Sequence, residues 1–436
     1  MKITEVRKRN GSVQVFDSSK ITKAVTKAFD AIEGGSNADA TKVAKNVEKK
    51  VVEMCEQDAK LPDSSPKKKC KDGKPSVEEI QDLVEEALME MEFYDVAKAY
   101  ILYRNKRKEM RERDLFRKRI NLKPYEYPEL VEYVDAIRHS YWIHTEFNYT
   151  SDVHDYKVNI TDIERSALKN AMLAIAQIEV AVKTFWGDLY KKMPKPELGA
   201  VGYTFAESEV RHMNAYSHLL EILGLNNEFE DLVDVPVIQG RVAYLEKVVA
   251  LSRTDDNKEY TQAILLFSLF VEHVSLFSQF LVMMSFNKYK NLFKGISNTV
   301  EATSKEEQIH GLFGIDLINT IHREHPEWFD DRTKALIENM TQEAFKAEEG
   351  IVDWIFEAGE LDFLPKKDVK EFIKQRLNNS LVSIKMKPLF EVDEEIVSSL
   401  SWFDEEVIGT KHVDFFAKRS INYNKRKSSI TSADLF

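Results

Sequence analysis

Two short stretches of the sequence place a glutamate three residues before a histidine. The first is Glu209-Val-Arg-His212 and the second is Glu307-Gln-Ile-His310. Residues three apart lie on the same face of a helical turn. Each pair therefore presents a carboxylate and an imidazole together, which suits the binding of a metal ion. Taken alone, either pair also arises readily by chance.

Two further glutamates lie inside apolar runs where a carboxylate is unexpected. Glu272 is at the centre of residues 263–286, AILLFSLFVEHVSLFSQFLVMMSF, and Glu179 is the only acid between Asn170 and Trp186. An ionised carboxylate in an apolar interior is costly unless it pairs with a cation or binds a metal. We therefore expect both glutamates to have a positive partner, although a lone glutamate more often pairs with lysine or faces water.

The four segments together match the ligand pattern of helical di-iron and di-manganese proteins. That pattern takes one glutamate from each of two helices and a Glu-x-x-His pair from each of two others. Six ligands dominated by carboxylates suit manganese or iron better than structural zinc, which prefers four ligands and often thiolates. The predicted ligands are Glu179, Glu209, His212, Glu272, Glu307 and His310.

The composition indicates a large, mainly α protein. The chain has 436 residues, of which 43% are hydrophobic and 31% charged, with 15 glycines and 11 prolines. Single hydrophobic cores rarely grow beyond about 250 to 300 residues, so we expect two domains. The small number of glycines and prolines favours long helices over a loop-rich sheet protein.

Charge and cysteine content narrow the class of protein. A net charge of −11 would repel nucleic acid and anionic membranes, so we expect neither as a partner. Cys55 and Cys70 are too few for a disulfide framework or a four-thiolate zinc site, and the N-terminus has no apolar signal region. We therefore expect a cytoplasmic protein. The run at 263–286 is long enough to span a membrane, but its polar residues favour a buried core helix.

The spacing of apolar residues divides the chain into an N-terminal unit and a helical bundle. Asn10-Gly11 between two alternating runs predicts a β-hairpin, and Ser76 with Glu79 forms a capping box that begins a helix. The highly charged residues 104–119 predict a connecting surface helix or linker. Apolar-periodic segments then predict helices at 128–147, 161–188, 197–224, 236–253, 259–289, 299–323, 330–359 and 366–384.

Three segments of the bundle resemble the radical-generating small subunit of class I ribonucleotide reductase. They are FAESEVRHMNAYSHLL, SKEEQIHG and SYWIHTEF, and the resemblance covers roughly residues 118–436. It implies a ferritin-like helical bundle that binds two ions of manganese, iron or both through the six ligands named above. It also implies that Tyr216, one turn beyond His212, corresponds to the radical-bearing tyrosine.

The same resemblance implies a route for electrons to a large catalytic subunit. Trp142 is similar to the family's tryptophan that leads from the metal site, and Tyr423 is similar to its relay tyrosine. The terminal SADLF resembles the tail that docks into the large subunit. The family commonly has aspartate where Glu179 and Glu306 stand, so the choice between iron and manganese and the radical-storing role of Tyr216 stay open.

The N-terminal unit resembles an ATP cone, a small α/β regulatory domain with a β-hairpin and helices. The resemblance covers about residues 1–104 and lies in VRKRNGSVQVFDSSKI, SVEEIQDLVEEAL and AKAYILYR. It implies that ATP or dATP binds as an allosteric effector, with lysine and arginine neutralising the phosphates. The implied binding residues are Lys8, Arg9, Asn10, Gly11, Lys20 and Ile21.

These observations predict a ribonucleotide reductase small subunit that acts only with the large subunit. We expect an ATP cone at 1–104, a linker at 105–120, the dimetal domain at 121–421 and a docking tail at 422–436. We also expect a homodimer, whose cones form larger assemblies with dATP. Two rivals stay open: a dimetal oxidase or oxygenase of the same bundle class, and a nucleotide-responsive binding protein with a structural metal site.

Overall fold

The chain divides into two compact units, Met1–Arg113 and Asp114–Phe436. The computed structural model describes residues 3–8, 12–30, 32, 37–62, 68–179 and 182–408. Over these residues the first unit combines a small sheet with helices, and the second is built from helices. The predicted fold class, mainly α with a small α/β unit at the N-terminus, is thereby confirmed.

A two-stranded antiparallel sheet begins the first unit. Strand β1 is Glu5–Arg7 and β2 is Val13–Val15, paired so that the first residue of β1 faces the last of β2. The predicted turn at Asn10-Gly11 lies outside the described residues. The backbone N–H of Arg7 donates to the carbonyl of Pro75 at 2.9 Å, which joins this sheet to the segment that leads into the third helix.

Amphipathic helices pack behind the sheet of the first unit. They are α1 (Ser19–Asp30), α2 (Asn37–Asp58), α3 (Val77–Glu90) and α4 (Tyr94–Glu112). The predicted capping box is present at the start of α3, where Ser76 Oγ accepts from the N–H of Glu79 and the Glu79 carboxylate accepts from the N–H of Ser76. Their apolar faces share one core that includes Val25, Val47 and Val84.

A disulfide bond joins Cys55 on α2 to Cys70, with Cα atoms 5.1 Å apart. Both cysteines are buried, and the Asp58 carboxylate accepts hydrogen bonds from the N–H groups of Lys69 and Cys70 beside them. This single bridge was not predicted from the sequence, where two cysteines are too few for a disulfide framework. The bond fastens the end of α2 to the chain that leads into α3.

Long helices form the second unit. They are α5 (Pro128–His139), α6 (Thr150–His154), α7 (Asp162–Glu179), α8 (Val182–Gly187), α9 (Leu189–Lys192), α10 (Pro196–Leu223), α11 (Asn226–Glu230), α12 (Pro236–Ser252), α13 (Asn257–Leu266), α14 (Phe277–Lys290), α15 (Lys294–Glu324), α16 (Asp331–Ile355), α17 (Lys366–Ser383), α18 (Glu394–Ser399) and α19 (Ser401–Ile408). Short 3₁₀ turns lie at His144–Glu146, Asp231–Asp234 and Pro326–Trp328, and π-helical turns at Asp155–Asn159 and Phe267–Ser275.

One predicted helix is shorter in the structure than the sequence indicated. The apolar spacing predicted a helix over 128–147, but α5 ends at His139. The Ser140 hydroxyl donates to the carbonyls of Ala136 and Ile137, which satisfies the open end of the helix and lets the chain turn away. Trp142 consequently lies in an irregular segment and not on a helix.

The most apolar run of the chain forms one continuous helix with a π-helical centre. Helix α13, the π segment Phe267–Ser275 and helix α14 follow one another without a loop. Among the described residues, this is the one helix long and apolar enough to cross a membrane, and its most apolar window is entirely buried in the bundle. The carboxylate of Glu272 therefore lies on a helix surrounded by protein.

Side chains from neighbouring helices hold the π segment in place. Arg376 on α17 donates to the carbonyl of His273 at 2.8 Å, and Arg241 on α12 donates to that of Ser275 at 2.5 Å. A π turn leaves carbonyls without their usual helical partners, so these buried donors stabilise it. Helix α15 also approaches this segment closely, since a Cβ at Gly314 would lie 2.1 Å from the hydroxyl oxygen of Ser268.

Candidate metal centre

Side chains from four helical segments meet in the core of the second unit. Their ligand atoms form two sets of four, in each of which all atoms lie within 4.8 Å of one another. The first set is Glu179 (α7), Glu209 and His212 (α10) and Glu307 (α15), and the second is Glu209, Glu272 (π segment), Glu307 and His310 (α15). Glu209 and Glu307 belong to both sets, which is the arrangement expected of two adjacent ions that share carboxylates. The structure thus brings together all six residues singled out by the sequence.

The site is sealed from solvent and has unpaired negative groups. None of the six side chains belongs to a residue that is more than 1% exposed. Both carboxylate oxygens of Glu179 are buried without a hydrogen-bond partner among the described residues. Buried anions without partners are strongly unfavourable, so the site calls for positive charge.

His212 turns one ring nitrogen toward this cluster and the other away from it. Its Nδ1 lies 2.9 Å from Glu307 Oε1 and 3.3 Å from Glu209 Oε2, whereas its Nε2 lies 2.8 Å from Glu306 Oε2. Glu306 is fully buried and lies outside both ligand sets. A carboxylate that accepts the Nε2 proton leaves Nδ1 free to bind a metal, which is the usual support of a metal-binding histidine.

His310 has the same orientation but a neutral outer partner. Its Nδ1 lies 3.0 Å from Glu209 Oε1, and its Nε2 lies 3.0 Å from the hydroxyl oxygen of Ser208. The Ser208 hydroxyl donates to the carbonyl of Phe205, so its oxygen accepts the Nε2 proton of His310. The two imidazoles are therefore equivalent toward the centre and different behind it.

Trp186 anchors the carboxylate whose place in the apolar run was unexpected. The Trp186 indole N–H donates to Glu272 Oε1 at 2.7 Å, and Glu272 Oε2 lies 3.5 Å from Nδ1 of His310. One oxygen of Glu272 is thus held by a rigid aromatic donor, while the other faces the cluster. The π segment and this hydrogen bond together fix the position of the Glu272 carboxylate.

Burial and mutual repulsion govern the protonation of the cluster. Burial raises the pKa of Glu179 and of Glu272 well above the usual carboxylate range, and the neighbouring carboxylates add to the increase. Burial acts to lower the pKa of His212 and His310, but the carboxylates around them outweigh it and raise both pKa values. Hydrogen bonds from both imidazoles hold the pKa of Glu307 low against the effect of burial. When no metal is bound, protons on the groups with raised pKa values therefore offset the negative charge of the cluster.

The donor set fits two divalent transition-metal ions. Four carboxylates offer four negative charges, which two divalent ions would neutralise, and the imidazoles can bind as neutral ligands. Six ligands rich in oxygen favour manganese or iron over a four-coordinate structural zinc. The orphaned oxygens of Glu179 are the observation that tests this fit, since a bound ion would give them a partner.

Tyr216 lies one turn beyond His212 on α10 and is fully buried. The Thr303 side chain on α15 interacts with the hydroxyl group of Tyr216. Burial raises the pKa of this phenol, and the negative charge of Glu179 raises it further. The phenol therefore keeps its proton next to the cluster.

Trp142 is linked to the cluster through Glu306. The Trp142 indole N–H donates to Glu306 Oε2 at 3.2 Å, and its ring stacks on the His212 imidazole with centroids 5.9 Å apart. Trp142 itself is 4% exposed. Indole, carboxylate and imidazole thus form one continuous hydrogen-bonded series that ends at the cluster, whereas Tyr423 and the SADLF tail lie outside the described residues.

The first unit contains an open cavity beside the sheet. It has a volume of about 850 Å³ and is lined by residues that include Glu5, Gln14, Phe16, Asp17 and Lys20. Of the predicted nucleotide-binding residues, Lys20 therefore lines this cavity. Lys8 is partly exposed next to β1, Ile21 is buried in the core of the unit, and Arg9, Asn10 and Gly11 lie outside the described residues.

Sequence reasoning missed three residues that contact the site. They are Trp186 on Glu272, Ser208 on His310, and Arg211, which binds Glu306. A signal for two of them was present, because Ser208 and Arg211 each directly precede a ligand on a helix whose ligand face must be buried. Trp186 offered no such signal, since its indole reaches Glu272 from a separate helix.

The fold and the site together define a class of protein. A ferritin-like bundle with two Glu-x-x-His pairs and two further glutamates is the architecture of carboxylate-bridged dimetal proteins. The family model described as ribonucleotide reductase, small chain, matches residues 119–396, and the chain belongs to this family. A second family model, the ATP cone domain, matches residues 4–109.

Individual relatives agree with these matches. A protein of invertebrate iridescent virus 3 named "Probable ribonucleoside-diphosphate reductase small subunit" is 24% identical over 322 residues, covering 70% of this chain and 85% of the relative. The vitamin B12-dependent ribonucleoside-diphosphate reductase of Thermoplasma acidophilum is 44% identical over 115 residues, which are 25% of this chain and 13% of that protein. The crystal structure of dimanganese(II)-NrdF from Streptococcus sanguinis shares the fold, with a TM-score of 0.56, 17% identity, and coverage of 67% of this chain and all of that one.

Proposed function

We propose that this chain is the small subunit of a ribonucleoside-diphosphate reductase and supplies a one-electron oxidising equivalent to a separate large catalytic subunit. The observation that supports this most strongly is the pair of ligand sets that share Glu209 and Glu307 in a sealed core. Two ions of manganese, iron or both, when bound and activated by an oxygen species, would supply the oxidising power. Side chains of the protein would then transfer the oxidising equivalent away from the metal ions.

Buried residues around the cluster would provide one route for electron transfer to the metal ions. Tyr216 would be the phenol that gives up an electron and a proton, because it is influenced by the charges of Glu179 and Glu307, and its burial keeps small reductants away. Trp142 would carry the equivalent outward, because its indole is hydrogen-bonded through Glu306 to His212. Beyond Trp142 we propose Tyr423 as the relay and the terminal SADLF as the segment that docks to the large subunit.

We further propose that the first unit senses ATP against dATP. Its open cavity carries Lys20, whose ammonium group can neutralise a phosphate, beside the aromatic ring of Phe16. Lys8, Arg9, Asn10, Gly11 and Ile21 stay proposed contributors to the same site. In this proposal dATP changes how the cones of a homodimer associate, and measuring the mass in solution with each nucleotide tests it; equal masses with ATP and dATP would exclude it.

The proposed place of action is the cytoplasm, with no nucleic acid or membrane as a partner. The net charge of −11 supports the absence of polyanionic partners. The Cys55–Cys70 bond is unusual for that compartment, where thiols are kept reduced. Counting free thiols in protein trapped directly from cells would show whether the bond forms there.

Metal loading followed by turnover tests the proposed function. Protein loaded with manganese or iron and exposed to oxygen should bind two ions per chain and give an oxidised cluster or tyrosyl signal in electron paramagnetic resonance. Addition of a large subunit and a ribonucleotide should then yield deoxyribonucleotide. An oxidised cluster that yields no deoxyribonucleotide when the large subunit and a ribonucleotide are added would favour a dimetal oxidase or oxygenase. Metal binding without oxidation would favour a binding protein with a structural metal site.

A further inference from the structure

Arg211 occupies a position where a charged side chain is unusual, between two metal ligands on α10. It is only 5% exposed, and it follows Glu209 and precedes His212 in the sequence. Its guanidinium donates to both oxygens of Glu306, with Nη1 3.1 Å from Oε2 and Nη2 3.1 Å from Oε1. A bidentate pair of this kind fixes the orientation of the carboxylate as well as its charge.

The same guanidinium also holds the backbone of the residue that binds Glu306. Nη1 of Arg211 donates to the carbonyl of Trp142 at 3.0 Å, while the Trp142 indole N–H donates to Glu306. Trp142 is therefore fixed at both ends, at its carbonyl by Arg211 and at its ring by the carboxylate that Arg211 orients. Loss of the guanidinium would release both restraints together.

The charges of this region balance only when Arg211 is counted. Four carboxylates face the two ligand sets and can be neutralised there by metal ions. Glu306 is a fifth buried carboxylate outside those sets, and Arg211 is the cation that contacts it. A buried ion pair of good geometry keeps Glu306 available to accept from Trp142 and His212 at once.

Two outer contacts hold the guanidinium itself. The Tyr141 ring lies 4.5 Å from it and is 57% exposed, so it covers the pair toward solvent. Glu207, one turn earlier on α10, accepts from Arg211 Nε at 3.0 Å and has a side chain that is 50% exposed. The guanidinium thus has an inner set of contacts, with Trp142 and Glu306, and two outer contacts, with Tyr141 and Glu207.

We propose that Arg211 is a positioning residue that holds Glu306 and Trp142 in the geometry through which an electron passes between His212 and the surface. This inference rests on the proposed function for its physiological meaning. The positioning itself can be measured without that function.

Hydrogen exchange of indole N–H groups tests the positioning directly in the full chain. In Arg211→Gln, exchange of the Trp142 indole proton should be faster by about tenfold or more, because the orientation of its acceptor is lost. The Trp186 indole, which donates to Glu272, is an internal reference and should not change. Signals are assigned with Trp142→Phe. An unchanged Trp142 rate, or equal acceleration of Trp142 and Trp186, would overturn the proposal.

Conservative and matched variants separate position from charge. Arg211→Lys keeps the charge but loses the bidentate fork, so it should restore the Trp142 protection only in part. Glu207→Gln removes the negative charge of one outer contact, on a side chain that is 50% exposed, and should leave both indole rates unchanged. If Glu207→Gln accelerated Trp142 exchange as much as Arg211→Gln, the inner contacts would not be responsible and the proposal would fail.

Turnover supplies the second measurement. With a large subunit and ribonucleotide, Arg211→Gln should lower kcat by about tenfold or more while metal content and the KM for the large subunit stay at the wild-type values. A kcat that falls only in proportion to metal content would overturn the proposal, because it would show a structural effect. Absence of turnover in the wild-type protein would instead contradict the proposed function. The indole exchange rates would still test the positioning role of Arg211.

Discussion

The two proposed ligand sites of this protein treat charge in opposite ways. In the second unit, carboxylates and imidazoles are enclosed on all sides, and some carboxylate oxygens have no partner among the described residues. In the first unit, Lys20 and Asp17 line an open cavity where water can solvate them. The charges of a site without access to water must be neutralised by the ions it binds. The charges of an open site are already solvated by water, so a bound ligand adds less stabilisation. The metal centre should therefore dominate the energetics, and the nucleotide site should act as a modulator.

Removal of a shared carboxylate should give the largest effect. Glu307 belongs to both ligand sets, so Glu307→Gln should lower the affinity for both ions by more than about 100-fold, beyond what outer-shell partners contribute. Glu179 belongs to one set, so Glu179→Gln should retain one ion. Metal analysis of dialysed protein measures both. The control is Glu301→Gln, which lies on the same helix outside the sets and pairs with Lys305; equal losses in all three variants would contradict shared ligation.

The pH dependence of metal affinity should be steep and positive. Glu179, Glu272, His212 and His310 all have raised pKa values without metal, so they hold protons that a metal must displace. Affinity should rise by about tenfold per pH unit for each proton displaced and weaken as pH falls. Calorimetry in buffers of different ionisation enthalpy counts those protons. An affinity independent of pH would show that the metal binds elsewhere.

Substitution of Lys20 should have a smaller effect, confined to the first unit. Lys20→Ala removes a charge from the open cavity and should weaken ATP or dATP binding by about tenfold, because one charge-assisted phosphate contact is lost. Lys42→Ala, an exposed lysine on α2 that pairs with Asp39, is the matched control. Titration calorimetry gives both affinities, and metal content should be unchanged. Equal weakening in the two variants would reflect net charge alone.

Loss of the capping box should give the smallest effect. Ser76→Ala leaves the first N–H groups of α3 without their side-chain partner and should lower the stability of the first unit by about 1 kcal/mol. Ser399→Ala, at the end of α18 in the second unit, removes a hydroxyl that does not begin a helix. Thermal unfolding should show a shift for the first variant only, at unchanged metal content. A shift in metal content would mean that the two sites are less separate than proposed.

The sealed site could be predicted from the sequence because a buried carboxylate is an anomaly. Glu272 in an apolar run and the two Glu-x-x-His pairs identified the residues that converge, and their helical spacing located the segments that carry them. The π turn at Glu272 could not be predicted in this way, since it depends on donors from Arg241 and Arg376 on other helices. Tertiary contacts of that kind leave no local pattern.

The open site gave a weaker signal for the same physical reason. A lysine such as Lys20 on a surface helix is ordinary, and only the resemblance of the whole segment suggested a nucleotide. The strands of the hairpin and the capping box at Ser76 followed from local rules and are present. The Cys55–Cys70 bond did not follow, because whether two cysteines meet depends on how α2 packs against the chain before α3.

The imidazoles of His212 and His310 have different outer partners, so the two proposed metal positions differ chemically. Behind His212 stands an anion, Glu306, and behind His310 a neutral hydroxyl, that of Ser208. A histidine whose far nitrogen donates to a carboxylate is the more electron-rich donor and better supports an ion of higher charge. When both iron and manganese are supplied, each metal should therefore prefer one of the two positions. The protein would then assemble one mixed-metal arrangement in preference to the arrangement with the two metals exchanged.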